Sequence, residues 1–262
     1  MQFKTIEMVQ EGALATVRLN RPSHFNALDD HMSEELLDAA RRVQRDAGIR
    51  ALILTGNGAA FCGGGDVKAF VGAGDGVPEF VEKVVTPFHL FVTAMQKLGK
   101  PTVAAVNGVA AGGGFSLAMT CDLVVAAATA SFTSAYSRIG ATPDGSLSYF
   151  LPRTVGTRRA LELYLTNRVL SAEEAMDWGI VTKVVPAASL LEEAHKLAMH
   201  LAAGPTAAFS RARDLIYGSM DHSLETQLDL EARGIIDSAR TTDFREATRA
   251  FVEKRVPAYT GK

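Results

Sequence analysis

The sequence predicts an α/β fold in which parallel strands are joined by crossover helices, and two observations predict it. Three short apolar runs, at residues 51–55, 102–106 and 123–127, have the composition of strands buried on both faces. Glycine-rich turns and helical patterns, with apolar residues three or four positions apart, lie between these runs. Because parallel neighbours need a crossover connection, this order favours a parallel sheet with helices packed on it.

The residues before the first buried strand predict a hairpin followed by a helix. Residues 5–9 and 13–19 flank a turn, and apolar residues alternate with others in the second segment, as in a half-buried strand. Asp29 or Asp30 is placed to cap a helix, because apolar residues recur at helical spacing after them. We expect this helix to stop at Gly48.

Two further helices are predicted between the first and third buried strands. One covers the apolar positions from Phe80 to Met95, and we expect Pro87 to kink or break it. The other opens at the triple glycine of residues 112–114 and ends near Cys121.

From about Gly145 onward, helices replace strands in the predicted pattern. A capping box that starts at Ser171 opens the first of the later helices. Further helices are predicted around residues 188–202 and 205–219, with two more in 222–254. Because no linker or repeat interrupts the chain, we divide it by packing into a core of residues 1–200 and a helical C-terminal region of residues 201–262.

The composition is that of an ordinary globular protein that acts on a small molecule. A formal net charge of −2 gives no electrostatic reason to expect nucleic acid as a partner. The two cysteines, Cys62 and Cys121, are too few for a disulfide framework or a Cys-rich zinc site, and we expect no metal. The longest apolar stretches are far too short to cross a bilayer. We therefore expect a cytoplasmic protein that binds neither nucleic acid nor membrane.

Two glycine-rich turns, each after an apolar strand, are the candidate site for chemistry. The first contains Gly63, Gly64 and Gly65, and the second is the triple glycine of residues 112–114. Without Cβ atoms, the backbone lets a ligand approach its N–H groups closely. One donor from each turn could converge on a single oxygen as an oxyanion hole, and each such donor is worth about 3–4 kcal/mol. The simpler interpretation is that both segments are only tight turns or close packing.

Five segments resemble those of the enoyl-CoA hydratase/isomerase (crotonase) superfamily, in that family's order. Residues 100–122 read KPTVAAVNGVAAGGGFSLAMTCD, which resembles the family pattern almost position by position. The others are RPSHFNAL at residues 21–28, AFCGGGDV at 60–67, SAEEAMDWGIVTKVV at 171–185 and AFVEKR at 250–255. The resemblance implies a superhelix of ββα turns, an acyl-CoA thioester as substrate, and homotrimers that often pair into hexamers. It implies no cofactor, because CoA is part of the substrate.

The resemblance also implies roles for individual residues. Gly65 and Gly113 match the two positions whose N–H groups form the family's oxyanion hole. The residues implied to bind substrate or CoA are Ser23, Phe25, Gly63, Asp66, Ser116, Tyr136 and Lys254. Lys254 matches a residue that reaches CoA from a neighbouring subunit, and the alternative for it is a solvated helix end.

Two of these positions depart from the hydratases that the chain resembles. Hydratases use two glutamates around one water, and the matching positions here are Ser116 and Tyr136. Serine can at best position a water, and a tyrosine with a pKa of about 10 is a poor base at neutral pH. Ordinary hydration of a 2-enoyl-CoA is therefore not expected.

A carboxylate is nevertheless expected at the acyl carbons, because Asp144 follows Pro143 in a turn where hydratases usually carry glycine. Enoyl-CoA and phenylacetyl-CoA-pathway isomerases use an acid at this position to move a proton, whereas 4-chlorobenzoyl-CoA dehalogenases use it as a nucleophile. His89 falls near the histidine with which dehalogenases activate water. It also shares a helical face with Val85 and Val92, so we expect a packed histidine.

The sequence therefore favours an isomerase, with Asp144 as base and the glycine turns as oxyanion hole. The alternatives are a dehalogenase or acyl-CoA hydrolase with Asp144 as nucleophile, a hydratase with degenerate glutamates, and a non-catalytic CoA-binding protein. The acyl group stays open, since several aromatic residues could line a pocket for a ring or belong to the core. They are Phe70, Phe88, Phe91, Tyr136 and Phe150.

Overall fold

The computed structural model describes residues 3–262, and those residues form two β-sheets with helices packed around them. The strands are β1 Ile6–Glu11, β2 Leu14–Leu19, β3 Ala51–Gly56, β4 Ala60–Cys62, β5 Thr102–Val106, β6 Val109–Ala111, β7 Leu123–Ala127, β8 Ser131–Thr133, β9 Val169–Ser171 and β10 Lys183–Val185. The helices are α1 Asp30–Arg45, α2 Val67–Gly72, α3 Val77–Gln96, α4 Gly113–Thr120, α5 Leu147–Val155, α6 Thr157–Thr166, α7 Ala172–Asp177, α8 Leu190–Ala202, α9 Thr206–Gly218, α10 Leu224–Ala239 and α11 Thr242–Glu253.

The order of strands in the two sheets produces a superhelix of ββα turns. The larger sheet has the order β1-β2-β3-β5-β7-β10, and the smaller has the order β4-β6-β8-β9. Each strand of the run β3, β5, β7 is followed at once by a strand of the smaller sheet and then by helices. Successive turns therefore add one parallel strand to each sheet, and the predicted α/β superhelix is confirmed.

The core lies on both faces of the larger sheet. Every residue of β3 and of β5 is buried, which explains why these strands are continuous apolar runs without alternation. Helices α1 and α3 pack against each other, and α8 contacts β3 and β5. The glycine turns follow β4 and β6 of the smaller sheet, and each of these strands comes directly after a buried strand of the larger sheet.

Most predicted elements of the N-terminal part are confirmed. β1 and β2 pair antiparallel as a hairpin, and Asp29, not Asp30, caps α1 by accepting from the N–H of Met32 at 2.8 Å. The expected break at Pro87 is wrong, because α3 continues through it. The buried apolar face of α3, with Phe88 and Phe91 in the core, outweighs the one hydrogen bond that a proline removes.

Residue patterns placed few strands of the smaller sheet, whose existence only the ββα turns of the family resemblance implied. Its strands β4, β6, β8 and β9 have three residues each, which is too short to show a period of two. The C-terminal helices fall where they were predicted, and the capping box at Ser171 and Glu174 is present. Within residues 3–262, no helix is both long enough and apolar enough to cross a membrane.

A buried ion pair fastens α9 to the core. Nε of Arg213 lies 2.8 Å from Oδ1 of Asp122, and the hydroxyl of Tyr217 donates to the same oxygen at 3.0 Å. The other oxygen, Oδ2, accepts from the N–H of Thr102 at the start of β5. Asp122, which closes one of the family-like segments, is therefore a structural residue that joins the sheet to the C-terminal helices.

We predict that Arg213→Leu lowers the free energy of unfolding by about 3 kcal/mol, because removal of one partner leaves a buried charge uncompensated. The matched control is Arg240→Leu, since Arg240 pairs with Asp237 at the surface, and such pairs contribute less than about 1 kcal/mol. Urea denaturation of both variants measures the difference. Equal losses would contradict the structural role of Asp122 and Arg213.

Candidate active site

Two backbone segments meet without side chains between them, and this contact builds the site. A Cβ atom on Gly114 would lie 2.1 Å from the carbonyl oxygen of Cys62, and one on Gly64 would lie 2.9 Å from that of Ala111. Real Cβ atoms do not approach so closely, so the two positions require glycine. The turn after β4 and the start of α4 are therefore in direct contact.

The contact leaves two N–H groups available to a ligand. Leu28 donates to the carbonyl of Gly64 at 2.7 Å and accepts from the N–H of Asp66 at 2.9 Å, so the N–H of Gly65 between them points away from this pairing. Gly113 is the first residue of α4, where an N–H has no helical partner. Among residues 3–262, neither N–H donates a hydrogen bond. Two unpaired N–H groups therefore lie on either side of this contact, and their role as an oxyanion hole stays a prediction.

A loop formed by residues 21–28 supports the first donor. The guanidinium of Arg21 lies 2.9 Å from Asp66 and 3.2 Å from Asp29. The fully buried side-chain amide of Asn26 donates to the carbonyls of Asn57 and Ala60 at 2.9 and 2.8 Å. Sequence reasoning missed both roles, although Arg21 and Asn26 belong to a segment that was recognised as family-like.

Three residues expected to hold CoA lie together on this loop and the neighbouring turn. The N–H of Gly63 donates to the carbonyl of Phe25 at 2.8 Å, and Ser23 is exposed two residues earlier. The side chain of Phe25 is 65% exposed, with a left-handed backbone at φ 52°. Their backbone is thus presented at the surface beside Gly65, and their part in binding CoA stays a prediction.

Asp66 is engaged within the protein. Its Oδ1 accepts from the N–H of Ala69 at 3.1 Å and so caps α2, while Oδ2 pairs with Arg21. Burial raises the pKa of Asp66, but the hydrogen bonds from Arg21 and Ala69 outweigh it and the net shift is downward. Because both oxygens are used, the carboxylate orients the turn, and direct contact with substrate is not supported.

The carboxylate of Asp144 lies in a cluster with the two residues at the hydratase glutamate positions. The hydroxyl of Tyr136 donates to Oδ1 of Asp144 at 2.5 Å. The hydroxyl of Ser116 lies 3.0 Å from that of Tyr136 and donates to the backbone carbonyl of Asp144 at 2.9 Å. Ser116 is fully buried, whereas Asp144 is half-buried. The structure therefore brings these three predicted site residues together.

The cluster adjoins the glycine turn at the start of α4. A Cβ atom on Gly112 would lie 3.9 Å from the ring of Tyr136, and the ring of Phe88 is near both Gly113 and Gly145. Phe70 touches the position where a Cβ on Gly65 would be. Of the aromatic residues that were candidates for a ring pocket, Phe88, Phe91, Tyr136 and Phe150 are buried in the core.

Burial decides the proton affinity of Asp144. Loss of solvent raises the pKa of its carboxyl, and the opposing effects of the Tyr136 hydroxyl and the nearby His89 do not cancel that rise. Burial, together with the charge of Asp144, also raises the pKa of Tyr136. The tyrosine therefore stays protonated, and the carboxylate is the one base in the cluster.

His89 was expected to be a packed histidine, and that expectation is wrong. Its side chain is exposed, and Nε2 accepts a hydrogen bond from the N–H of Gly145 at 3.1 Å. The turn that follows β8 folds back over this part of α3, which sequence spacing alone could not reveal. His89 thus supports the residue next to Asp144.

Lys254 lies at the far end of the chain, as the left-handed C-cap of α11. It is exposed, and its neighbours Phe251 and Val252 are 85% and 80% exposed. Apolar side chains this open are typical of a surface that another protein covers. Contact of Lys254 with CoA across a subunit boundary stays a prediction.

Comparison with known proteins agrees with this geometry. A sequence model described as enoyl-CoA hydratase/isomerase matches residues 9–262. The chain belongs to the enoyl-CoA hydratase/isomerase family. It is 40% identical, over the full length of both chains, to the 1,2-epoxyphenylacetyl-CoA isomerase of Escherichia coli K12. It is 34% identical to 4-chlorobenzoyl coenzyme A dehalogenase-1 of an Arthrobacter species, covering 96% of this chain and 91% of that one.

The fold is also close to that of a solved family member. Enoyl-CoA hydratase subunit I from Geobacillus kaustophilus superposes with a TM-score of 0.92 at 33% identity, covering 100% of both chains. Family members act on acyl-CoA thioesters. These relatives bear three different names, isomerase, dehalogenase and hydratase, so the side chains near the acyl group must distinguish the reactions.

We predict that Asp144→Asn stabilises this enoyl-CoA hydratase/isomerase family member at neutral pH. Because the folded-state pKa of Asp144 is raised, ionisation disfavours folding, and stability is lost as pH rises from the ordinary value of about 3.9 through the raised one. The Asn variant should therefore have a Tm higher by about 2–4 °C at pH 7.

This gain should vanish below about pH 4, where wild-type Asp144 is protonated in both states. The control is Asp75→Asn, at an exposed position, for which we expect no change of Tm at either pH. Scanning calorimetry at the two values measures both variants. A Tm gain that is the same at both pH values would contradict the raised pKa.

Proposed function

We propose that the protein is an acyl-CoA isomerase in which Asp144 is the general base and Gly65 and Gly113 form the oxyanion hole. The observation that carries this proposal is the cluster around Asp144. Serine and tyrosine hydroxyls occupy the positions where hydratases have carboxylates, and both are turned toward the backbone or side chain of one aspartate. One base and one oxyanion site suffice to move a proton from one carbon to another.

The proposed reaction begins when the thioester oxygen accepts hydrogen bonds from the two glycine N–H groups. Asp144 removes a proton from a carbon whose acidity the thioester increases, and the C–H electron pair moves into an enolate. The two N–H groups stabilise the negative oxygen that develops. The carboxyl group then returns its proton to a different carbon, so the double bond or ring changes place without a cofactor.

The CoA part of the substrate is proposed to lie along Ser23, Phe25 and Gly63, which present backbone at the surface near Gly65. Lys254 of a neighbouring subunit would complete the site in a homotrimer or a hexamer. The exposed apolar side chains near the C-terminus support such an assembly. They are Leu224, Leu228, Ile235, Ile236, Phe251 and Val252.

The isomerase from Escherichia coli supports this choice, because it matches the full chain at 40% identity. A second candidate is a hydrolase or dehalogenase with Asp144 as nucleophile. The position of His89 favours it, since this side chain contacts Gly145 and is near enough to lower the proton affinity of Asp144. Attack by Asp144 would leave a transient ester on the enzyme, whereas base catalysis would leave none.

We predict that Asp144→Asn reduces turnover of a 3-enoyl-CoA by about 100- to 10,000-fold, because an amide neither takes a proton nor attacks carbon. Wild-type enzyme in heavy water should give a product with partial deuterium incorporation, since the same carboxyl removes and returns the proton. Stopped assays with mass spectrometry of product and protein measure both. Asp75→Asn is again the control and should keep wild-type rates.

A mass increase on the peptide that contains Asp144 would favour the nucleophile over the base. If the Asn variant retains more than about a tenth of wild-type activity on every substrate, Asp144 has no catalytic role and is only a turn residue. Absence of turnover by the wild type on 3-enoyl, epoxyphenylacetyl and 4-chlorobenzoyl thioesters would leave a non-catalytic CoA-binding protein.

We also predict that the wild type hydrates crotonyl-CoA very slowly or not at all, because Ser116 and Tyr136 cannot activate water as two glutamates do. Loss of absorbance of the conjugated thioester measures this rate directly. A kcat on the order of 10 per second, typical of an enzyme acting on its own substrate, would identify a hydratase and overturn the isomerase proposal.

A further inference from the structure

We propose that Tyr136 is the positioning residue for Asp144: its hydroxyl holds one carboxylate oxygen, keeps the group ionised, and leaves the other oxygen to act on the substrate. This role rests on the proposed function of Asp144 as base. It differs from the expectation that Tyr136 contacts the substrate, because its hydroxyl is directed at protein atoms.

The geometry makes Tyr136 a donor and Asp144 an acceptor. The hydroxyl of Tyr136 donates to Oδ1 of Asp144, and a hydrogen bond to an ionised acceptor is stronger than one to a neutral acceptor. A phenol has one proton to donate, and the raised pKa of Tyr136 keeps that proton in place at neutral pH. Ser116 lies 3.0 Å from the phenol oxygen, but its one proton is donated to the backbone carbonyl of Asp144. The phenol proton is therefore the one that reaches the carboxylate.

The ring of Tyr136 is itself held in place. It is 9% exposed and lies against the glycine turn, where a Cβ on Gly112 would be 3.9 Å from it. Gly112 immediately precedes Gly113, a proposed donor of the oxyanion hole. One rigid side chain therefore sets the position of the base relative to the oxyanion site.

The hydrogen bond also opposes the effect of burial on the carboxylate. Besides Tyr136, the groups that face Asp144 are Ser116 from α4 and His89 from α3. Ser116 bonds the backbone carbonyl and is not ionisable, so Tyr136 is the hydroxyl that directly stabilises the ionised carboxylate. Without it, only His89 and the backbone hydrogen bond of Asp144 itself would oppose desolvation, and the acid would hold its proton to higher pH.

A direct titration tests the proposal without any substrate. Infrared difference spectra against Asp144→Asn isolate the signal of the Asp144 carboxyl group in the folded protein. Tyr136→Phe keeps the ring and removes only the hydroxyl, so its titration midpoint should lie about one pH unit above that of wild type. An unchanged midpoint overturns the proposal.

Tyr164→Phe is the matched control. Tyr164 donates its hydroxyl to the carbonyl of Ala141 at 3.0 Å, in the same turn that carries Asp144, but not to the carboxylate. Loss of this hydroxyl loosens the turn in the same way and should leave the midpoint unchanged. Equal shifts in both variants would mean that Tyr136 acts only by packing the turn, and would also overturn the proposal.

A kinetic measurement tests the same upward shift of the Asp144 titration midpoint. With a 3-enoyl-CoA that the wild type turns over, the acid limb of kcat/KM should move upward by the same interval in Tyr136→Phe and stay in place in Tyr164→Phe. At a pH below both midpoints the Tyr136→Phe variant should lose about tenfold more kcat/KM than at a pH well above them. A loss that is uniform with pH counts against the proposal. If no substrate is turned over, the isomerase proposal fails, while the infrared result still decides the role of Tyr136.

Discussion

The contact between the two glycine turns is the constraint on which the rest of the structure depends. Gly114 packs against the carbonyl of Cys62, and Gly64 against that of Ala111, at distances that no side chain permits. This contact sets the spacing between successive turns of the superhelix where β4 and β6 end. It also leaves one free N–H on each side of the contact. The geometry of the proposed oxyanion hole and the packing of the two turns are therefore set by the same backbone contact.

The surroundings of Asp144, unlike the glycine turns, consist of side chains, and their effects on the proton affinity of its carboxyl group oppose one another. Burial raises the proton affinity of Asp144, and the hydroxyl of Tyr136 lowers it without cancelling the rise. The proposed oxyanion hole is rigid because it consists of backbone, whereas the proposed base is adjustable because its proton affinity depends on a few replaceable side chains.

The sequence predicted five of the six strands of the larger sheet, most of the helices and the glycine turns, because periodic segments and triple glycines carry strong local signals. The strands of the smaller sheet have three residues each and show no period, so only the family resemblance implied them. The family-like motifs contain both structural residues and residues with groups free to bind a ligand, and only the structure distinguishes the two. Asp66 and Asp122 hold elements together, whereas Gly65 and Gly113 present free donors. The hydrogen bonds from Tyr136 to Asp144 and from Gly145 to His89 join distant segments, so no spacing rule predicts them.

The place of Ser116 has a consequence for how this site can change during evolution. Its hydroxyl is fully buried and lies 2.9 Å from the carbonyl of Asp144, so a glutamate there would put a second negative charge beside the first. Two such carboxylates raise each other's proton affinity, so an acid at residue 116 would change the proton affinity of the proposed base. Substitutions at Ser116, Tyr136 and Asp144 are therefore expected to have epistatic effects on activity.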